Sequence, residues 1–187
     1  MSELIQIVNS MPVDKIESLA KLLLDIKLAK GRLFILGVGG SAANASHAVN
    51  DFRKLAGIES YAPTDNVAEI TARTNDEGWS TIFQGWLEIS RLNSNDCVLI
   101  LSVGGGDEIK QVSTNLIQAI KYARKVGAKV TGIVGRSEGY TALNSDLCIV
   151  IPNFNLKNIT PHAESFQSII WHLLVSHPLL KSNATKW

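Results

Sequence analysis

Four consecutive apolar residues, Leu33–Leu36, run directly into Gly37-Val38-Gly39-Gly40-Ser41, and that junction leaves few folds open. A continuous apolar run of this length reads as a strand covered on both faces, as in a parallel sheet. Gly37, Gly39 and Gly40 allow backbone angles and close approaches that a Cβ would block. Small residues then open a helix toward Asp51. Its free N–H groups and the positive end of its dipole face the mouth of the loop, a ready anion site. His47 and Asp51 are one helical turn apart, so an imidazole and a carboxylate share a face, expected near that mouth.

The same grammar recurs along the chain. Cys97–Leu101 is a second apolar strand ending in Ser102-Val103-Gly104-Gly105-Gly106-Asp107, with a helix expected from there to about Val126. Ala128–Val134 and Leu147–Ile151 read as further strands, and Ser60–Pro63 as a short one. Between Ala128–Val134 and Leu147–Ile151, Gly139-Tyr140 reads as loop. Thr64 or Asp65 is expected to cap a helix through Val67 and Ile70, broken at Thr74–Gly78. A helix over Trp79–Leu92 would bury Ile82, Phe83, Trp86, Leu87 and Ile89, and a last one would run from Glu164 to Val175. Strands alternating with helices predict a three-layer α/β/α sandwich with a central parallel sheet, flavodoxin- or Rossmann-like. Such sheets bind ligands beyond the carboxyl ends of their strands.

At 187 residues the chain suits one domain: N-terminal helices over 1–30, an α/β core over 31–178 and a tail over 179–187, whose polar stretch Lys181–Trp187 is expected to fray. Pro12 fits the first turn of the second N-terminal helix, whose Ile16, Leu19, Ala20, Leu22, Leu23, Ile26 and Leu28 form a broad apolar surface. That surface is expected to meet another chain, with packing on its own sheet as the competing arrangement. A net charge of +1 argues against a basic nucleic-acid surface. No apolar run reaches membrane-span length and no signal-peptide pattern opens the chain, so a cytoplasmic protein is expected. Cys97 and Cys148 read as core thiols.

Two glycine loops side by side would make one crevice lined with backbone N–H groups, suited to an anionic or polyhydroxylated small ligand. The loop Gly37–Ser41 resembles a dinucleotide fingerprint only loosely and is not a Walker loop, so no nucleotide cofactor is expected. Among the four histidines, His172 shares a helix with Glu164, and Phe166, Ile169, Ile170 and Leu173 mark that helix as buried. A carboxylate and an imidazole in apolar surroundings need partners, which His47 and Asp51 could supply. Two imidazoles and two carboxylates fit either a zinc site or an acid/base pair tuned by burial.

The order Gly37–Ser41, His47…Asp51, Asn75-Asp76, Ser102–Asp107 and Glu164…His172 resembles the sugar isomerase (SIS) domain, and within it the phosphoheptose isomerases. The resemblance covers nearly the whole chain. It implies a homotetramer with active sites between subunits, and aldose–ketose isomerisation of sedoheptulose 7-phosphate with zinc. It implies that His47, Asp51, Glu164 and His172 hold metal, with Asp51, Glu164 and His172 catalytic. It further implies a substrate pocket of Gly39, Gly40, Ser41, Asn75, Asp76, Ser102, Gly104, Gly105, Gly106 and Asp107. A non-catalytic SIS module that binds a sugar phosphate or a protein is the reading from another class; titratable groups at both Asp51 and His172 favour the enzyme.

Three positions depart from the family pattern. Asp51 stands where members carry glutamate and is one methylene shorter. Glu164 replaces a glutamine and adds a negative charge. Ser102–Asp107 lacks most of the hydroxyls of the usual Ser-Thr-Ser-Gly-Asn-Ser loop, and Asp107 would cap the next helix and repel phosphate. The backbone amides of Gly104–Gly106, with Arg53, Lys54 or Arg73, are then expected to hold the anion.

Overall fold

The apolar runs form the strands they predict. The computed structural model describes residues 1–185. Its elements are α1 (Ser2–Asn9), α2 (Val13–Leu28), β1 (Leu33–Leu36), α3 (Gly40–Asp51), β2 (Ser60–Tyr61), α4 (Val67–Asp76), α5 (Ile82–Ile89), β3 (Cys97–Ser102), α6 (Thr114–Lys125), β4 (Lys129–Val134), α7 (Tyr140–Asn144), β5 (Leu147–Val150) and α8 (Ile159–Ser176). One parallel sheet of five strands has the order β2-β1-β3-β4-β5, with Leu36 beside Ile100 and Ser102 beside Val134. Every residue of β1 and β3 is buried, as strands covered on both faces require.

Alternate side chains feed two apolar layers. Leu33, Ile35, Leu99, Leu101, Ile133 and Ile149 face α1, α2, α3 and α8. Phe34, Leu36, Val98, Ile100 and Val130 face α5 and α6. The three-layer expectation therefore holds. The chain passes from β1 out to β2 and returns to β3 on the other side of β1. That reversal opens a crevice at the carboxyl ends of β1 and β3, where the two glycine loops emerge.

Several local expectations are corrected. Ile16, Leu19, Ala20, Leu23 and Ile26 of α2 pack into the chain's own core, so the surface expected to meet another chain is mostly spent internally. Asn66, not Thr64 or Asp65, caps α4, its side chain accepting from the Glu69 N–H at 3.2 Å. Asn75 and Asp76 continue that helix, and the break comes at Gly78, where φ is +89°. Ile89, the last residue of α5, is exposed instead of buried. Gly139-Tyr140 opens the short helix α7, and α8 begins five residues before Glu164. The tail is tethered rather than frayed at its start: the N–H groups of Ser182 and Asn183 donate to the Leu55 carbonyl at 2.8 and 3.1 Å. Its last two positions, 186–187, lie outside the described residues.

Candidate active site

Helices α3 and α8 lie against each other because each carries an apolar stripe, with Ala45, Ala48 and Val49 on one and Phe166, Ile170 and Trp171 on the other. That packing brings His47, Asp51 and His172 together, each offering a ligand atom within 4.8 Å of the others. Asp51 Oδ2 lies 3.8 Å from His47 Nε2 and 3.7 Å from His172 Nε2. The carboxylate is only 4% exposed, while both imidazoles open to solvent. Asn50 Nδ2 donates to Asp51 Oδ1 at 2.7 Å, leaving Oδ2 for the histidines. Directly after Asp51 the helix widens into a π turn over Phe52–Ala56, an irregularity that recurs beside functional side chains.

The tautomer of His172 follows from its other nitrogen. Nδ1 stands 2.7 Å from the Ser168 carbonyl oxygen, which can only accept, so Nδ1 carries the hydrogen. In the neutral ring Nε2 then turns a lone pair toward the Asp51 carboxylate. Two electron-rich atoms facing each other at 3.7 Å call for a proton or a cation between them. Ligand atoms about 2.0–2.2 Å from a tetrahedral ion stand roughly 3.3–3.6 Å apart, so the Asp51 oxygen is within a few tenths of an ångström of that spacing from each imidazole. His47, Asp51 and His172 thus form a cluster compatible with a divalent metal, and three protein ligands leave a coordination position for substrate.

Glu164 does not join them. Eight residues before His172 it is about 12 Å back along the helix axis, and its carboxylate lies over Gly40. A Cβ at Gly40 would stand 2.5 Å from Glu164 Oε2, so glycine is what lets the carboxylate settle on the first turn of α3. Gly39 reaches that turn through φ +64°. The N–H groups of Gly40 and Ser41 have no acceptor among the described residues, and Ser41 Oγ is buried without a partner. His47 is seven residues on from Gly40, about 10 Å along α3. The expectation that the His47–Asp51 pair sits near the mouth of its own loop is corrected by that distance.

The second loop also differs from expectation. Asp107 does not cap α6. Its Oδ1 accepts the N–H groups of Ile109 (3.0 Å) and Lys110 (2.9 Å), and Asp107 pairs with Val112 in an antiparallel bridge. The Lys110 N–H, above all, lowers the Asp107 carboxyl below the ordinary aspartate range. The helix starts instead at Thr114, after Ser113 in the left-handed region at φ +50°. A signal was present: Ser113 stands three residues before Leu116, where the periodic apolar run of this helix begins. Ser102 Oγ accepts the Gly105 N–H at 3.0 Å, and Thr141 donates to the Gly105 carbonyl at 2.7 Å. A cleft of about 260 Å³ opens there, lined by Gly104, Gly106, Asp107, Lys110, Arg136 and Glu138 among others. The sequence reading did not include Lys110, Arg136 or Glu138. Arg53 lies elsewhere, over the Tyr61 ring at 5.5 Å, and Arg73 pairs with Glu69 and Glu77. Asn75 and Asp76 sit exposed at the end of α4, bonded to each other at 2.7 Å, away from the cluster.

The other two histidines pair with glutamates far from the cluster in sequence, His162 Nε2 donating to Glu3 at 2.7 Å and His177 lying beside Glu17 at 3.2 Å. Burial pushes the thiols of Cys97 and Cys148 up to about 12 and about 11, consistent with core cysteines. No helix among the described residues is long and apolar enough to cross a membrane.

Comparison with known proteins fits this geometry. The SIS domain family matches residues 1–135. The chain belongs to the SIS domain family. It is 30% identical over 166 residues to a phosphoheptose isomerase of Syntrophotalea carbinolica, with 86% of this chain and 79% of that protein covered. It is 32% identical over 175 residues to the lincomycin biosynthesis protein LmbN of Streptomyces lincolnensis, covering 88% of this chain but only 60% of LmbN. The solved phosphoheptose isomerase of Neisseria gonorrhoeae has the same fold, with a TM-score of 0.81 at 23% identity over 94% of this chain and 93% of that one. The SIS relatives named as isomerases are enzymes, in agreement with the expected class.

Proposed function

We propose that this SIS protein is a sugar-phosphate isomerase that converts sedoheptulose 7-phosphate to D-glycero-D-manno-heptose 7-phosphate. The observation that carries the reading is Asp51, buried and aimed at two imidazoles, in a chain similar to phosphoheptose isomerases. The reaction moves hydrogen between C1 and C2. A base takes a proton from C1 of the ketose while O2 gains one, giving an enediol. The O1 proton then leaves as C2 is reprotonated, and the aldose results with no net oxidation.

Asp51 is suited to the carbon-bound proton because it is shielded from water, and His172 to the oxygen proton because its exposed Nε2 faces the same space. Alternatively, a zinc ion held by His47, Asp51 and His172 would occupy Nε2 and take over that role, polarising the substrate oxygens as a Lewis acid. Glu164, over the first turn of α3, is suited to orient a sugar hydroxyl together with Gly39, Gly40 and the unpartnered Ser41. Ser102 and the amides of Gly104–Gly106 would hold the phosphate, with Asp107 shaping the loop. The distance of about 10 Å between His47 and its own glycine mouth fits sites completed by a second subunit of a homotetramer, as does the exposed apolar patch of Val8, Val13, Ile169 and Leu173 beside His177. Asn75 and Asp76 would then serve a neighbouring subunit.

Purified, metal-analysed protein incubated with sedoheptulose 7-phosphate should form aldose by NMR, and His172→Ala should lose that turnover while staying folded. Absence of aldose from fully metal-loaded protein would count against the assignment. One observation favours a second reading, isomerisation of a different sugar phosphate. The cleft at Gly104–Gly106 carries Asp107 and Glu138 beside Lys110 and Arg136 in place of hydroxyls. A panel of sugar phosphates in the same assay distinguishes the two.

A further inference from the structure

Trp171 is fully buried, and its indole N–H has no hydrogen-bond partner among the described residues. Buried indoles ordinarily find an acceptor. A residue kept for apolar filling alone would strand no polar atom, so the ring itself needs an account. It has two neighbours of consequence. The His172 ring stacks on the indole with centroids 3.5 Å apart and planes 28° from parallel. The His47 ring meets it edge-on, at 4.7 Å and 64°. The two imidazoles stand 5.5 Å from each other at 88°. One indole thus touches both histidines of the cluster and lies on the core side of each.

A histidine that binds metal is normally oriented by a hydrogen bond from its other nitrogen. His172 has one, to the Ser168 carbonyl. His47 has none among the described residues, although its side chain is 58% exposed and otherwise free to turn. What limits its ring is Trp171 on one side and Asp51 ahead.

We propose that Trp171 is a positioning residue for the histidine pair, its indole doing for His47 what a hydrogen bond does for His172. The proposal rests on the metal reading above. Without the indole, His47 gains freedom to turn away from Asp51, and the three ligand atoms are no longer preset. An aromatic ring of another kind would preserve most of the effect; an aliphatic side chain would not.

Metal-free wild type, Trp171→Phe and Trp171→Leu are each titrated with zinc in competition with a chromophoric chelator, and with cobalt, whose visible absorption reports the symmetry of its ligands. Trp171→Phe is expected to stay close to wild type. Trp171→Leu is expected to lose about 10- to 100-fold in affinity, the range for removing an orienting partner, and to shift the cobalt band. Wild type that binds neither metal would overturn the metal reading itself, and this proposal with it. Wild type that binds, beside a Trp171→Leu protein of equal affinity and identical spectrum, would overturn the positioning role alone. Should the leucine variant not fold, proton NMR of the metal-free wild type decides. Ring currents should move the carbon-bound imidazole protons of His47 and His172 away from those of His162 and His177, and coincident shifts would refute the stacking.

Discussion

Lengthening Asp51 by one methylene tests the geometry of the cluster, because two arguments give opposite signs. The resemblance to phosphoheptose isomerases implies glutamate at this position, which argues that Asp51→Glu would improve the enzyme. The structure argues the reverse. Asp51 Oδ2 already lies 3.7–3.8 Å from both imidazole nitrogens, against roughly 3.3–3.6 Å for ligands sharing a tetrahedral ion. The slack is a few tenths of an ångström, whereas another carbon adds about 1.5 Å. The carboxylate would overshoot by about 1 Å within an enclosed site. Misplacement on that scale costs about 100-fold in rate, or about 2.7 kcal/mol of transition-state stabilisation. Overpacking adds about 1–3 kcal/mol of lost stability, a fall of roughly 2–12 °C in melting temperature for a chain of this size. Steady-state kinetics with sedoheptulose 7-phosphate, metal content and thermal melts, run beside Asp51→Asn, separate these effects. Asp51→Asn keeps the shape and should lose metal without the overpacking cost. A glutamate variant with kcat/KM at or above wild type, at equal metal occupancy, refutes the reasoning.

Two further outcomes concern stability. Asp96 is buried and accepts from the Arg32 backbone N–H, from Arg32 Nη2 at 2.7 Å and from Asn93, joining the start of β1 to the turn before β3. Arg32→Ala removes the guanidinium while the backbone N–H of residue 32 and Asn93 still donate to Asp96, and should cost about 1.5–3 kcal/mol, read as a lower denaturation midpoint with an unchanged slope. Glu3 accepts from Asn155, Asn158 and His162, bonds that pull its carboxyl down to about 2. A depressed folded-state value stabilises above the ordinary glutamate range, so α1 docking should weaken as pH falls from 4.5 toward 2. Hydrogen exchange in α1 against pH follows this, and Glu3→Gln should flatten the dependence.

The parts of this fold that were legible in the sequence share a physical cause. Leu33–Leu36 and Cys97–Ser102 are buried on both faces, and a strand in that position must be apolar at every residue, so its signal survives without context. The parallel sheet and its two glycine loops follow from those runs. Helix ends were harder, because a cap is one hydrogen bond made by residue types that also make turns. Asp107 has the chemistry of a cap but closes a turn onto Ile109 and Lys110, and the helix begins instead at Thr114 with no side-chain cap bond from Ser113. The site divides in the same way. His47 and Asp51 share a face by helical spacing alone, and the sequence shows it. That His172 completes their cluster while Glu164 does not is decided by how far along α8 the contact with α3 falls, a tertiary quantity. Trp171 escaped notice for a related reason. Adjacent residues on a helix do not ordinarily face each other, so nothing in the pair Trp171-His172 announces a stacked ring until α3 brings His47 against the same indole. The ligands of such a site are readable as residue types at a spacing, whereas what holds the ligands still is readable only from the packing of one helix on another.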